Sequence, residues 1–115
     1  MSLQTDVQHV KPDTAVIVFS GNLTLGMALS AVDRQMQSMV ASGICRMVCD
    51  LTEVSYVDSA GLGVLVHTAG LARQKNGMVR LCGVSERVST LLKLTMMDTV
   101  LPVEETSAAS LAALA

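Results

Sequence analysis

The sequence has no tryptophan, one phenylalanine (Phe19) and one tyrosine (Tyr56). Stacking platforms for nucleic-acid bases are therefore missing. Its eight Lys and Arg residues form no cluster, and the net charge is −2. Without a basic footprint or stacking aromatics, direct nucleic-acid binding is excluded as the expected activity. Long apolar runs are also absent. The N-terminal stretch MSLQTDVQHVKPD is polar and reads neither as a signal peptide nor as a membrane span, so the expected location is the cytoplasm. Cysteine is scarce and odd in number, at three, which builds no closed disulfide framework and suits a reducing compartment. Cys45 and Cys49, four residues apart on one expected strand, would sit roughly 13 Å from each other, too far to bridge. His9 and His67 are isolated, and no spacing of His, Cys, Asp or Glu points to a metal.

What the chain does have is aliphatic mass. Half of its residues are hydrophobic, eight of them Met, and only 16% are charged. A length of 115 residues suits one domain over 1–115 and suffices for a core without staples. Met1 to Leu3 can be set aside as an expression scar. The low charge leaves apolar surface for a partner and leaves self-association open.

Strand and helix patterns alternate along the chain. Val7 to Val10 reads as a short edge strand and Ala15 to Phe19 as a strong one. Ser20-Gly21-Asn22 reads as a turn. Leu25 to Ala41 reads as an amphipathic helix, with Leu25, Leu29, Val32, Met36 and Met39/Val40 as its apolar stripe. Met47 to Leu51 follows as a strand, then a loop from Thr52 to Asp58, and a helix from Ser59 to Gln74. Val79 to Cys82 is a strand. Ser85 caps a helix running from Glu86 to about Met96, Val100-Leu101 is a short extended segment, and Ser107 caps a final Ala-rich helix. This order predicts an α/β fold: a mixed, largely parallel sheet of four to five strands with about four helices.

The segment Val57-Asp58-Ser59-Ala60-Gly61-Leu62-Gly63-Val64-Leu65 stands out. It surrounds a hydroxyl with small residues at the point where loop becomes helix. A Ser or Asp in that place is most often an N-cap. The same Ser is open to a second use. Small neighbours allow another protein to approach closely, and a phosphate there would face the positive end of the helix dipole.

Val57 to Leu65 closely resembles the phosphorylation-site motif of bacterial anti-sigma factor antagonists, the family that defines the STAS domain. The likeness extends over most of the chain. Phe19-Ser-Gly-Asn-Leu-Thr is similar to the family's strand and turn ending in Gly-Glu-Leu-Asp, and Val48-Cys-Asp-Leu-Thr-Glu-Val resembles its central strand. Leu91 to Leu101 is similar to its third helix and last strand. The resemblance implies a regulator that is not an enzyme and needs no cofactor. Unphosphorylated, such a protein binds an anti-sigma factor, often itself a serine kinase, and so frees a sigma factor. The kinase, which brings the nucleotide and magnesium, phosphorylates the antagonist and weakens the complex, and a serine phosphatase resets it. Carried over by motif, Ser59 is the phosphoacceptor. Asp58, Ala60, Gly61 and Gly63 shape the docking surface, and Asn22 and Thr24 flank it. His67, on the small polar face with Gly63, Gly70 and Gln74, is a further candidate contact. The acidic pair of the family's turn is replaced here by neutral Asn22 and Thr24.

Other readings fit less well. A serine hydrolase would want Gly before x-Ser-x-Gly and a nearby His. Val57 replaces that Gly, and His67 would lie roughly 12 Å along the helix from Ser59. A phospho-Asp receiver built on Asp50 lacks an acidic pair for magnesium and a late Lys. Within the STAS fold, the alternative is a scaffold of a stress-signalling assembly or a cytoplasmic accessory of a membrane transporter.

Overall fold

The computed structural model describes residues 2–115. Five strands form one sheet in the order β1-β2-β3-β4-β5: β1 (Gln4–Lys11), β2 (Thr14–Leu23), β3 (Arg46–Val57), β4 (Met78–Cys82) and β5 (Val103–Glu104). β1 is antiparallel to β2, and every other neighbouring pair is parallel. Four helices connect or follow them: α1 (Met27–Ala41), α2 (Ser59–Gln74), α3 (Glu86–Leu94) and α4 (Ser107–Leu114). The α/β architecture with a largely parallel sheet is as the alternation predicts. Met1, part of the expected scar, lies outside the described residues.

The alternation of side chains along each strand divides the molecule into two unequal layers. Ala15, Ile17 and Phe19 of β2, Met47, Cys49 and Leu51 of β3, and Val79 and Leu81 of β4 join the main core with α1, α2 and α3. Val16, Val48 and Cys82 point the other way, where Leu111 and Leu114 of α4 cover them. Parallel strands buried on both faces read as continuous apolar runs, which is why Ala15 to Phe19 carries no polar alternation.

Several boundaries differ from expectation. Ser20-Gly21-Asn22 does not turn the chain; it continues β2 with shifts of register against β3. Gly21 adopts φ +98, and a Cβ there would meet Ser2 O at 2.7 Å, so its turn-like composition serves a bulge. The expected loop from Thr52 is the second half of β3, and Tyr56 is an exposed strand residue. Leu25 is 81% exposed and precedes α1, whose buried stripe is Leu29, Val32, Met36 and Val40. α3 stops at Leu94 because Met96 takes a left-handed conformation. A single 3-10 turn, Met97–Thr99, follows, and the last strand lies beyond Pro102 rather than at Val100-Leu101. Thr106, not Ser107, caps α4, its hydroxyl accepting from Ala109 N at 3.1 Å.

The α4 layer is tied down by a polar triad. Arg80 on β4 donates from Nη2 to Glu104 Oε2 on β5 at 2.7 Å and from Nε to Glu104 Oε1 at 3.0 Å. Ser110 of α4 donates to Glu104 Oε1 at 2.6 Å. Both charged side chains are under one-fifth exposed. The Arg80 guanidinium, aided by the Ser110 hydroxyl, holds the Glu104 carboxyl below its ordinary value. A depressed folded pKa adds stability above the unfolded value, about 4.3, and that stability is lost as pH falls through the folded value. Thermal unfolding followed from pH 7 to pH 2 should therefore show a loss beginning below about pH 4.3. Glu104→Gln should remove that part of the loss. It should also lower stability at neutral pH by about 2 kcal/mol, since Arg80 then lacks its charged acceptor.

Candidate functional site

β2 and β3 end side by side, with Leu23 paired to Val57. Asp58 follows at once in an extended conformation and donates its backbone N–H to Leu23 O at 3.1 Å. Its carboxylate then works in two directions. Oδ1 accepts from Gly61 N at 2.8 Å, capping α2, and Oδ2 accepts from Leu25 N at 2.9 Å, across the β2–α1 connection. The hydrogen bonds from Leu25 and then Gly61 hold the carboxyl below its ordinary value, so Asp58 is ionised at neutral pH.

Because Asp58 takes the capping position, Ser59 does not. It is the first residue of α2, and it is exposed. The cap reading of this hydroxyl, which sequence alone left open, passes to its neighbour.

The small residues of the motif separate into two kinds. A Cβ on Gly61 would come within 2.0 Å of Leu23 O, so glycine is needed for the first turn of α2 to pack on the end of β2. Around Gly63 a Cβ would meet nothing within 4 Å, and the residue is exposed. Ala60 is half-buried and packs against the core. Asn22 is exposed near the end of β2, paired with Tyr56 of β3, and Thr24 is half-buried beside it. These residues gather at the C-terminal end of the sheet.

His67 stands apart, further along α2. Its Nδ1 lies 3.5 Å from Asp33 Oδ1 on α1, yet the two form no hydrogen bond and that oxygen is sealed from solvent. Its placement marks the α1–α2 seam, not the Ser59 surface.

Three exposed groups near the motif were not singled out by sequence reasoning. Leu25 and Met27, 81% and 91% exposed, bracket Gly26 just after the bond to Asp58. Arg87 of α3 stacks over the Tyr56 ring, its guanidinium carbon 5.8 Å from the centroid. Spacing hid Leu25, which fits a helical stripe with Leu29 equally well. Nothing in the one-dimensional pattern links Tyr56 to Arg87.

Burial pushes the Cys49 thiol up to about 12 and the Cys82 thiol up to about 11, leaving neither as a nucleophilic thiolate. Among the described residues no group of three or more His, Cys, Asp or Glu could hold a metal ion, and no helix is long and apolar enough to cross a membrane. A cavity of about 510 Å³ lies at the opposite end of the sheet, near Lys11, Asp13 and Arg46, and contains no motif residue.

The glycine pair gives a sharp test. Gly61→Ala should destabilise the fold by about 2–3 kcal/mol, as overpacking against backbone does. Gly63→Ala should leave it unchanged or raise stability by up to about 1 kcal/mol. Urea denaturation of the two variants measures both.

Comparison with known proteins bears on the fold and the family. The chain is 29% identical over 104 residues to the anti-sigma-B factor antagonist of Listeria monocytogenes, covering 90% of each chain. A shorter stretch of 45 residues is 47% identical to the intermembrane phospholipid transport system binding protein MlaB of Escherichia coli, covering 39% of this chain and 46% of that one. The fold matches the Bacillus cell fate determinant SpoIIAA in its phosphorylated form, with a TM-score of 0.78 at 14% identity, over 97% of this chain and all of that one. SpoIIAA in its unphosphorylated form gives 0.77. The family model for the STAS domain matches residues 6–110, nearly the whole length, and the chain belongs to the STAS domain family.

Proposed function

We propose that this chain is an anti-sigma factor antagonist whose partner binding is switched off by phosphorylation of Ser59. The observation that carries the reading is the division of labour between Asp58 and Ser59. The carboxylate does the capping, and the hydroxyl is left exposed at the first position of α2. Likeness to named antagonists over 90% of the chain supports it, as does the fit of one fold to both forms of SpoIIAA.

Unphosphorylated, the surface around Ser59, Asp58, Ala60, Gly63, Asn22 and Thr24 docks an anti-sigma factor that is itself a serine kinase, and a sigma factor is released. Gly61 contributes from beneath, by seating α2. His67 lies off this surface, at the α1–α2 seam, and would meet only a partner that extends along α2. The kinase supplies the nucleotide and magnesium, so the chain itself needs no catalytic base and no cofactor, and a serine phosphatase reverses the step. The setting is the cytoplasm, where sigma factors act.

A phosphate on Ser59 would face the N-terminal dipole of α2 and leave the fold intact. It would add a charge of roughly −1.5 to −2 next to ionised Asp58. Docking against that pair of anions costs a few kcal/mol through desolvation and repulsion. Neutral Asn22 and Thr24 leave the phosphate a strong contrast with its surroundings.

A second reading keeps the fold and changes the assembly. The 47% identity to MlaB, although confined to 45 residues, favours a cytoplasmic accessory of a lipid transporter. Genes for an anti-sigma kinase or phosphatase beside this one support the first reading, and a transporter operon supports the second.

Incubation with the neighbouring kinase and ATP, followed by mass spectrometry, should place one phosphate on Ser59 and none on Ser59→Ala. Ser59→Ala should fold normally and bind its partner whether or not ATP is present. Ser59→Asp should fold and bind at least tenfold more weakly, a difference of about 1.4 kcal/mol. Equal affinities would refute the switch. Thr24→Asp should narrow the affinity gap between phosphorylated and unphosphorylated protein.

A further inference from the structure

We infer that Leu25 and Met27 form an apolar hook, held in place beside Ser59 by Asp58, that enters an apolar cleft on the anti-sigma factor. The inference rests on the reading of the Ser59 surface as the docking surface and names what the partner must offer there.

Leu94 and Met96 are 78% and 73% exposed, but Leu25 and Met27, one residue apart at 81% and 91%, are the most exposed large hydrophobic side chains among the described residues. They are not on a loose strap. Leu25 N–H donates to Asp58 Oδ2, and the loop is fixed on its other side where Ser30 N–H donates to Gly26 O at 3.1 Å. The same carboxylate caps the helix that begins with Ser59. A protein that reaches the Ser59 hydroxyl therefore meets the hook in a fixed position, so little ordering entropy is lost on contact.

The charge pattern states the chemistry of the occupant. From Thr14 to Val32 no residue carries a charge. The turn offers a partner no ion pair at all, only two aliphatic side chains flanked by Asn22 and Thr24. A matching surface must be an apolar cleft, not a basic patch. Asp58 is a positioning residue in this scheme, since its carboxylate bonds backbone and not the partner.

The test uses the full chain and, as probes, each purified anti-sigma factor encoded in the same genome. Leu25→Ser and Met27→Ser should each weaken binding about tenfold or more, with melting temperatures unchanged, because neither side chain is in the core. Leu94→Ser on α3, equally exposed at 78%, is the control and should bind as the parent does. Affinities within twofold of the parent for both hook variants, or an equal loss in Leu94→Ser, would overturn the hook. Asp58→Asn tests the positioning. Asn caps a helix as well as Asp does but offers one acceptor oxygen. With Gly61 N–H satisfied first, Leu25 N–H should exchange with deuterium at least tenfold faster while the amides of α2 keep their protection. An unchanged Leu25 amide would overturn the positioning role. Failure of the parent chain to bind any of these anti-sigma factors overturns both the hook's occupant and the proposed function. Binding that is lost in Leu25→Ser without any phosphate forming on Ser59 overturns only the switch.

Discussion

One carboxylate organises the working end of this molecule. Asp58 sits where β3 gives way to α2, and its two oxygens receive N–H groups from two different parts of the chain, Gly61 and Leu25. A monodentate cap would satisfy the helix alone. The second bond joins the helix to the connection that leaves β2, so the two strand ends, the helix start and the β2–α1 loop form one rigid unit. Position 58 must be short, acidic or amide, and extended in backbone; position 61 must have no side chain, because Leu23 O lies where its Cβ would be. Those two demands fix much of the motif before any partner is considered.

The opposite layer of the sheet is insulated from this unit. Arg80, Glu104 and Ser110 bind β4, β5 and α4 into a polar seam over Val48 and Cys82, while the residues around Ser59 depend on contacts in the main core. Changes at the Ser59 end can thus alter surface charge without loosening α4. That arrangement suits the proposed switch, in which the domain would remain folded in both charge states because the added charge would meet a helix dipole and not a packed interior.

The fold was legible in the sequence because β2, the first half of β3 and β4 are largely buried on both faces and α1 carries a clean apolar stripe. Three places were not legible, each for a physical reason. Ser20-Gly21-Asn22 has turn composition, but its glycine serves the positive φ of a bulge inside β2. Leu25 continues the spacing of Leu29 and Val32, so periodicity alone assigns it to the core; only the bond from its N–H to Asp58 shows that the chain has not yet become helical there. The second half of β3 reads as loop because Thr52, Glu53, Ser55 and Tyr56 are exposed where the strand extends past β4. At the site itself, the motif could be found but its internal roles could not. Which of Asp58 and Ser59 caps, and which glycine is structural, are questions of distance.

Those distances separate what the fold needs from what it merely carries. Asp58 and Gly61 are needed, and a chain with any function on this scaffold would have reason to keep them. Gly63 is different. It lies inside a helix, exposed, where glycine costs up to about 1 kcal/mol relative to alanine, and no neighbouring atom demands it. Ser59 likewise leaves the capping to Asp58, and Leu25 and Met27 expose apolar surface that could be polar at no cost to the core. Each of these four residues is suboptimal or idle for stability, and two of them, Ser59 and Leu25, adjoin or are bonded to Asp58. A residue that the folded chain does not require is best explained by something outside the chain. The gathering of these four at one end of the sheet, around one exposed hydroxyl, is the physical argument for the docking proposed there.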